Sequence, residues 1–396
     1  MVRTKIITSR EELLLLAKAW NQLHIAVNGS IFQTFEWNAS WWDIYKQDNY
    51  LLHVLTIWHE DILVGLVPFF HESYNFGIVK YSRLRFIGTN ETYGEYTPLV
   101  HPQFEQEVSI AMSTFCDEQL QKNRCDVLLL FRFPPTSNFM KIFLAKIESD
   151  GIKVEYIPNC IPRVSMELPE SWEKYLEGLS PNEKQMLQRR QRSIVKQGVE
   201  LEKVIDSSLL DKDYDDFVRL HIASWNNRGM LSYFSSKKFE TFQRSIISQF
   251  RKEKIARLYF FKKNGVRFAA VQAFFLNKVC CFYLSGLNRT HDLIPYSPGK
   301  VLLSLVIKDA IEEGFKTFDF QGGVEDYKSR LGGKKTSFAK AYLWKPGIKT
   351  FKILPIHILI GFKQFIQNKM LDEIFLPFMR KIYRKIFTNQ LWLVSL

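Results

Sequence analysis

The residues best suited to acid–base chemistry are concentrated in one short loop near the end of the chain. Glu325, Tyr327, Lys328 and Arg330 fall within six consecutive positions that follow a pair of glycines. A carboxylate can accept a proton, a phenol can return one, and two cations can hold an anionic group. The loop therefore predicts a site that contains a base, an acid and an anion clamp.

The residues before this loop predict the elements that would hold it. Apolar residues recur at helical spacing over positions 299–313, which predicts a helix that ends at Gly314. Positions 317–320 alternate as a strand does. The helix begins after a small turn, where unpaired backbone N–H groups can receive phosphate or another anion. The candidate anion-binding residues of this turn, for which a plain turn is the alternative, are Ser297, Pro298, Gly299 and Lys300.

The composition bounds the size and the partners of the protein. A length of 396 residues suggests two domains, and 33 Phe, 16 Tyr and 9 Trp supply a large aromatic surface to bury. Lys and Arg number 54 against 41 Asp and Glu, which gives a net charge of +13. This balance favours anionic partners such as nucleotide cofactors, nucleic acid or acidic lipid, without choosing among them.

Cysteine usage and apolar runs indicate the compartment. The five cysteines include no C-x-x-C pair, and no histidine lies at zinc spacing, so we expect reduced thiols and no metal site. Residues 1–10 lack the apolar segment of a secretory signal, and no run reaches the roughly 18 apolar residues that span a bilayer. We therefore expect a cytoplasmic protein, and contact with the inner membrane face stays open.

Helical and strand patterns alternate along the chain and follow the same plan twice. The first part predicts helices at 9–23, 36–46 and 107–122 and strands at 51–59, 62–70, 81–87 and 126–131. The second part predicts helices at 172–179, 182–197, 209–226, 237–252 and 299–313 and strands at 163–168, 255–262, 267–276, 279–287, 317–320 and 339–345. This alternation is typical of α/β domains with mixed sheets. We place the domains at 1–165 and 166–346.

Residues 347–396 form a third segment with a different composition. Lysines and arginines alternate with large apolar residues over 363–387 in a basic amphipathic pattern. Such a segment can lie on an anionic membrane surface, and the alternative is helices packed on the body of the protein or on another subunit.

Three segments of the second part resemble the CelD/BcsL family, a branch of the GNAT acyltransferase superfamily. The family pattern is matched in order by Ser297, Pro298, Gly299, Gly314, Asp319, Phe320, Gly323, Glu325, Tyr327, Lys328 and Arg330. The other two segments are the helix containing Leu220, His221, Trp225, Arg228 and Gly229 and the basic helix at 189–198. The match covers about 169–346 well and the first part more loosely. The chain departs from the pattern at Gln321-Gly322, Val324 and Leu331.

The resemblance implies two tandem GNAT-like acyltransferase domains and an N-acyltransferase. An acyl group, acetyl in the simplest case, would pass from acyl-CoA to an amine, for example on an amino sugar or another cell-envelope or polysaccharide precursor. The cofactor would lie between the strands at 279–287 and 317–320, with contacts to Leu284 and Ser285 and its phosphates at 297–300. Either Glu325 or His221 would act as the base and Tyr327 as the acid. The substrate would be held by Lys328, Arg330, Arg228 and Asp319.

Other interpretations of the same residues remain open. The pair Tyr327-Lys328 with a later Gly332 is also similar to a motif of the FemABX peptidyltransferases, which implies an aminoacyl-tRNA donor. If the donor is not a tRNA, we expect no nucleic-acid partner. The departures at Gly322 and Val324 also allow a non-catalytic accessory protein of surface-polysaccharide biosynthesis. Each candidate has a structural alternative, such as a packed histidine at His221 or a loop-fixing carboxylate at Asp319.

Overall fold

The computed structural model describes residues 2–76, 79–89, 92, 94–122, 124–205 and 210–346. The predicted amphipathic segment at 347–396 lies outside the described residues. No helix in the described part of the chain combines the length and the apolar character needed to cross a bilayer.

The chain forms two successive sets of helices and strands. The first set comprises β1 (Val2–Ile7), α1 (Arg10–Leu15), α2 (Ala17–Ala26), α3 (Phe35–Tyr45), β2 (Tyr50–His59), β3 (Ile62–Phe76), β4 (Val79–Phe86), β5 (Leu99–Val100), α4 (Glu105–Gln121), β6 (Val127–Phe133) and α5 (Asn138–Ser149). The second set comprises β7 (Lys153–Glu167), α6 (Trp172–Gly178), α7 (Pro181–Lys196), β8 (Glu200–Val204), α8 (Leu210–Asn226), α9 (Lys237–Arg251), β9 (Ala256–Lys263), β10 (Val266–Leu276), β11 (Val279–Leu287), α10 (Pro298–Glu312), β12 (Thr317–Gly322), α11 (Asp326–Arg330) and β13 (Lys334–Trp344).

Within the described ranges the strands join into a single mixed sheet. Their order is β1-β2-β3-β4-β6-β13-β7-β12-β11-β10-β9-β8, and β5 pairs with β3. The last strand, β13, lies between β6 of the first half and β7, and β7 also pairs with β12. The division expected at residue 165 therefore falls inside β7, and β13 is the strand that joins the second half to β6 of the first.

Each half repeats one arrangement of strands. Three antiparallel strands, β2-β3-β4 or β9-β10-β11, are followed by a long helix and then by a strand parallel to the third. The parallel pairs are β4 with β6 and β11 with β12. The α/β fold with a mixed sheet that the sequence predicted is confirmed.

One hydrophobic core joins the two halves on one face of the sheet. It contains α2 and α3 of the first half together with α8 and α9 of the second. The Trp37 ring of α3 lies 5.1 Å from Phe242, 5.9 Å from Phe274 and 5.6 Å from Tyr283, all edge-on and all in the second half. Edge-to-face aromatic pairs favour one relative placement of the packed elements. The core therefore fixes how the first half lies against β11.

A buried cluster of charged side chains joins β3 and β4 in the first half. Arg83 Nε donates to Glu72 Oε2 at 2.6 Å, and Arg85 Nε lies 2.8 Å from the same oxygen. The three side chains are at most 1% exposed. Burial alone would raise the pKa of Glu72, but the charges of Arg85 and Arg83 lower it from 4.5 to about 2. Glu72 is therefore ionised, and within the described residues it is the only salt-bridge partner of both guanidinium groups.

Replacing this carboxylate should destabilise the fold. Glu72→Gln leaves two buried cations without their counter-charge, so the free energy of unfolding at pH 7 should fall by about 3–5 kcal/mol. Because the folded pKa lies below 4.5, the contribution of Glu72 is complete above that pH and is lost as the pH falls toward 2. Denaturant unfolding of both proteins across this range measures the effect, with the exposed Glu173→Gln as control. A constant difference between wild type and Glu72→Gln from pH 7 to pH 2 would contradict it.

The helix α8 approaches the backbone of β11 at a glycine. A β-carbon on Gly286 would lie 2.6 Å from the His221 backbone nitrogen and 2.7 Å from the Leu220 carbonyl carbon. Backbone atoms cannot rotate out of the way as a long side chain can. The contact between α8 and the end of β11 therefore requires glycine at this position.

A methyl group at this contact should separate the two elements. We expect Gly286→Ala to lower the free energy of unfolding by about 1–3 kcal/mol through overpacking, as measured by denaturant unfolding. Gly299→Ala is the matched control, since its β-carbon would meet only the Leu287 side chain at 3.8 Å. Equal stability of the two variants would show that α8 can move away at no cost.

Candidate active site

A gap between two parallel strands is the main feature of the second half. The ladder between β11 and β12 has three positions and ends with Cys281 opposite Asp319. Beyond that point β12 continues beside β7, and β11 continues beside β10. No described residue pairs with the β12-facing edge of β11 from Phe282 onward. Such an edge can pair with an extended ligand as an added strand.

A β-bulge in β11 lies at the start of this gap. Gln272 of β10 is opposite Leu284 and Ala273 is opposite Phe282, so Tyr283 is the extra residue. The Tyr283 hydroxyl accepts a hydrogen bond from Gln243 Nε2 at 3.3 Å. The predicted cofactor contacts Leu284 and Ser285 directly follow the bulge. Their place beside the gap agrees with the expected location, and their role stays a prediction.

The predicted anion turn at the start of α10 offers few free donors. Ser297 adopts a left-handed conformation, with φ of 53°, and its carbonyl accepts the N–H groups of Lys300 and Val301 at 3.1 Å. Pro298 has no N–H. Among the described residues, the N–H of Gly299 is left without a hydrogen-bond partner in this first turn. An anion here would therefore meet one backbone donor.

The charge of Lys300 is already paired. Its ammonium group contacts the carboxylate of Glu183 on α7, and Arg330 Nη1 lies 3.8 Å from Glu183 Oε1. Gln191 of the same helix donates to Ser304 Oγ of α10 at 3.1 Å. The side chain expected to add positive charge to the turn is thus neutralised by α7.

The loop after β12 is held by a buried lysine. Lys328 is 3% exposed and donates to the carbonyl of Gly322, and its ammonium lies 3.0 Å from Glu325 Oε2. Glu325 precedes α11, and its side chain is 57% exposed. The structure therefore gives Lys328 a loop-fixing position. It leaves Glu325 open to solvent, and the roles expected for both residues stay predictions.

Tyr327 and Arg228 meet near this loop. Burial raises the pKa of Tyr327 well above its ordinary value, the charge of Glu325 adds to the rise, and the charge of Arg228 opposes it. Tyr327 is therefore protonated at neutral pH, as an ordinary tyrosine is, and is a weaker acid than an exposed one. Arg228 is exposed and forms no ion pair with a described residue, so the cation expected to bind substrate is available.

The predicted alternative base, His221, lies in an aromatic cluster. The residue is 1% exposed, its Nδ1 lies 2.8 Å from Ser232 Oγ, and its ring stacks on Trp225 at 5.7 Å. Burial and the charge of Arg228 lower the pKa of His221 to about 3. These contacts are those of a neutral, packed imidazole.

The corresponding gap in the first half is filled by the chain itself. The ladder between β4 and β6 also has three positions and ends with Arg85 opposite Leu129. Beyond it, the Tyr96 N–H donates to the Arg132 carbonyl at 3.0 Å, and Arg132 Nη1 donates to the Thr92 carbonyl at 2.7 Å. The second half therefore keeps the gap that the first half closes.

Sequence reasoning missed a charged cluster between the two halves. Arg163 Nη2 of β7 lies 2.7 Å from Asp319 Oδ2, and Arg163 Nη1 lies 3.0 Å from Glu95 Oε2. Asp319 also accepts the backbone N–H of Gln321 at 2.8 Å and its Nε2 at 2.6 Å, so it fixes the strand end. Burial and the charge of Asp319 raise the pKa of Glu95, and Arg163 opposes the rise. Sequence separations of 68 and 156 residues gave no local signal for this cluster.

Comparisons with known proteins agree with this geometry. Residues 182–329 match the model of an acetyltransferase (GNAT) domain family. The crystal structure of FemX covers 89% of this chain and 99% of its own, with 10% identity and a TM-score of 0.59. The C-terminal domain of a provisionally named lysylphosphatidylglycerol synthetase from Agrobacterium fabrum covers 89% and 97%, with 9% identity and a TM-score of 0.50. No curated protein sequence gives a match.

The similarity to solved structures at these identities shows the fold alone. Together with the repeated arrangement of strands, it confirms the predicted fold of two GNAT-like units in tandem. The gap between β11 and β12 and the start of α10 both lie inside the matched range. The match over residues 182–329 therefore supports a GNAT-type acetyltransferase domain in the second half.

Proposed function

We propose that the second half transfers an acyl group from acyl-CoA to an amine, with an amino sugar or another cell-envelope precursor as the acceptor class. The observation that carries this proposal is the gap between β11 and β12, with a bulge at Tyr283 and the start of α10 beyond it. The finer likeness to the CelD/BcsL branch supports the choice of acceptor and is part of the proposal.

The backbone of β11 would hold the thioester arm. An extended pantetheine can pair with the free edge beyond Phe282, next to Leu284 and Ser285, while the Gly299 N–H meets a phosphate. A backbone N–H at the bulge would polarise the acyl carbonyl. These donors are fixed by the sheet before the substrate binds.

Two side chains of the loop that follows β12 would move protons. The amine loses a proton, the C–N bond forms, the C–S bond breaks, and the leaving thiolate gains a proton. Tyr327 is the candidate for the last proton because its phenol is protonated at neutral pH, although burial raises its pKa and makes it a weaker acid. Glu325, exposed at the start of α11, is the candidate for the first step.

Removing the hydroxyl group of Tyr327 should slow turnover without weakening the binding of acyl-CoA. For Tyr327→Phe we expect kcat to fall by about 10²-fold or more while KM for acyl-CoA stays unchanged, since a general acid acts in the transition state. Thiol release from acetyl-CoA and longer acyl-CoAs, measured with a panel of amines, gives both constants. Tyr156→Phe, at a 41% exposed tyrosine of β7, is the matched control.

The same assay decides the proposal as a whole. Acyl-CoA should raise the melting temperature of the wild-type protein, since a ligand that binds the folded state stabilises it. Glu325→Gln should remain folded and turn over more slowly; full activity would remove Glu325 from the mechanism. If no acyl-CoA shifts the melting temperature and no amine releases thiol, the proposal fails, and the accessory role becomes the better interpretation.

The contacts of α7 favour a second candidate, an aminoacyl-tRNA-dependent transferase. Glu183 neutralises Lys300, and the turn offers one free N–H, which suits a donor without a pyrophosphate. Five cations of the same helix form no ion pair with a described residue: Lys184, Arg189, Arg190, Arg192 and Lys196. A polyanionic donor would make binding fall steeply with salt. Aminoacyl transfer from charged tRNA, with no reaction from acyl-CoA, would select this candidate.

Contact of residues 347–396 with an anionic membrane is a separate proposal. It rests on the basic amphipathic pattern of that segment. Co-sedimentation with vesicles of acidic lipid tests it, and equal retention by neutral vesicles would contradict it.

A further inference from the structure

A cavity of about 370 Å³ lies between the two halves of the protein. The second half contributes Arg163 and parts of β10, β11 and β12 to its wall. The first half contributes residues 27–33, Glu95, Thr97, Pro98, Val100, Glu105, Ser137 and Phe139. Small-molecule sites occupy about 300–1,000 Å³. The cavity is therefore large enough for a small metabolite or for one sugar ring.

The wall of the cavity is acidic. Its charged side chains are the carboxylates of Glu95, Glu105 and Asp319 and the guanidinium of Arg163, so three negative groups face one positive group and the formal net charge is −2. The chain as a whole carries +13. A negative cavity in a basic protein selects cationic ligands and repels anionic ones.

Glu95 and Glu105 each keep one carboxylate oxygen without a described donor, and of the two only Glu95 pairs with Arg163, the partner of Asp319. Asp319 accepts hydrogen bonds from Arg163 and twice from Gln321, and Glu105 Oε2 accepts one from Asn138 at 2.6 Å. Glu95 uses Oε2 for Arg163 at 3.0 Å, and no described residue donates to its Oε1. A ligand ammonium group can therefore bind Glu95 without displacing a protein contact.

The cavity reaches the point at which the gap begins. Cys281 and Asp319 both line it, and they are the last paired positions of β11 and β12. A ligand in the cavity and an extended thioester in the gap would thus meet at the end of the three-residue ladder. This is the arrangement that two reactants of one transfer reaction require.

We infer that this cavity binds the acyl acceptor as a small primary ammonium ion, with Glu95 as the residue that selects its charge. The inference rests on the proposed function and adds the chemical class of the acceptor and its location. Glu95 acts here in binding. Other polar side chains of the wall, such as Asn28 and Ser137, can hold the hydroxyl groups of an amino sugar.

Binding without any acyl donor tests the inference. Isothermal titration of the full chain should detect binding of glucosamine and n-hexylamine. The protein should bind their neutral counterparts, N-acetylglucosamine and 1-hexanol, at least tenfold more weakly. Glu95→Gln should weaken the two amines at least tenfold and leave the neutral compounds unchanged. The control variant Glu173→Gln changes an exposed carboxylate that does not line the cavity, and it should bind as the wild type does.

A second variant tests the cavity independently, in case Glu95→Gln does not fold. Val27→Trp places bulk in the cavity and removes no charge, so it should abolish amine binding while far-UV circular dichroism stays unchanged. Equal binding of amines and neutral counterparts, no amine binding at millimolar concentration, or wild-type affinity in folded Glu95→Gln would each overturn the inference.

Separate titration with acetyl-CoA distinguishes the two proposals. Amine binding that depends on Glu95 without any response to acyl donors supports the cavity and removes the proposed donor. A response to acyl donors without selective amine binding keeps the transferase and removes the cavity as the acceptor site.

Discussion

The ion pair between Arg163 and Asp319 determines where the second half opens. Asp319 is the last residue of β12 that pairs with β11, and Arg163 of β7 lies opposite Gly322 at the end of β12. A largely buried ion pair of good geometry favours one arrangement of its two strands. With β12 held against β7, β11 is left with a free edge. The gap, the bulge and the inter-half cavity all depend on this divergence.

The two halves share one arrangement of strands, but only the second keeps an open gap. Both have a three-residue parallel ladder that then divides. In the first half the segment around Tyr96 pairs with the Arg132 carbonyl and fills the opening. This segment also carries Glu95 to the boundary with the second half. The first half therefore fills its own opening and supplies part of the wall of the cavity between the halves.

Local patterns predicted the elements well because they reflect local physics. The helix at 299–313 and the strands around it appear where the apolar spacing and the flanking glycines place them. The first part of β7 was not predicted because Pro158 and Pro162 interrupt it, and its pairing with β13 shifts register there. Helix α5 was overlooked although Ser137 caps it and its apolar residues have helical spacing.

The site itself was less predictable, since its chemistry depends on pairings across the fold. Sequence indicated the loop of Tyr327 and the turn at Ser297, which are continuous segments. It could not show that Glu183 neutralises Lys300, because the two residues are 117 positions apart. Nor could it show that Lys328 is buried under its own loop, since lysine is usually exposed.

The position of β13 has a consequence for synthesis of the protein. The strand β6 pairs with β4 on one side and obtains its second neighbour only when residues 334–344 have been made, about 200 residues after β6 itself. Until then the nascent first half carries an unpaired strand edge, the kind of surface on which chains aggregate. The two halves are therefore linked in time as well as in space, and the first cannot complete its sheet before the second emerges.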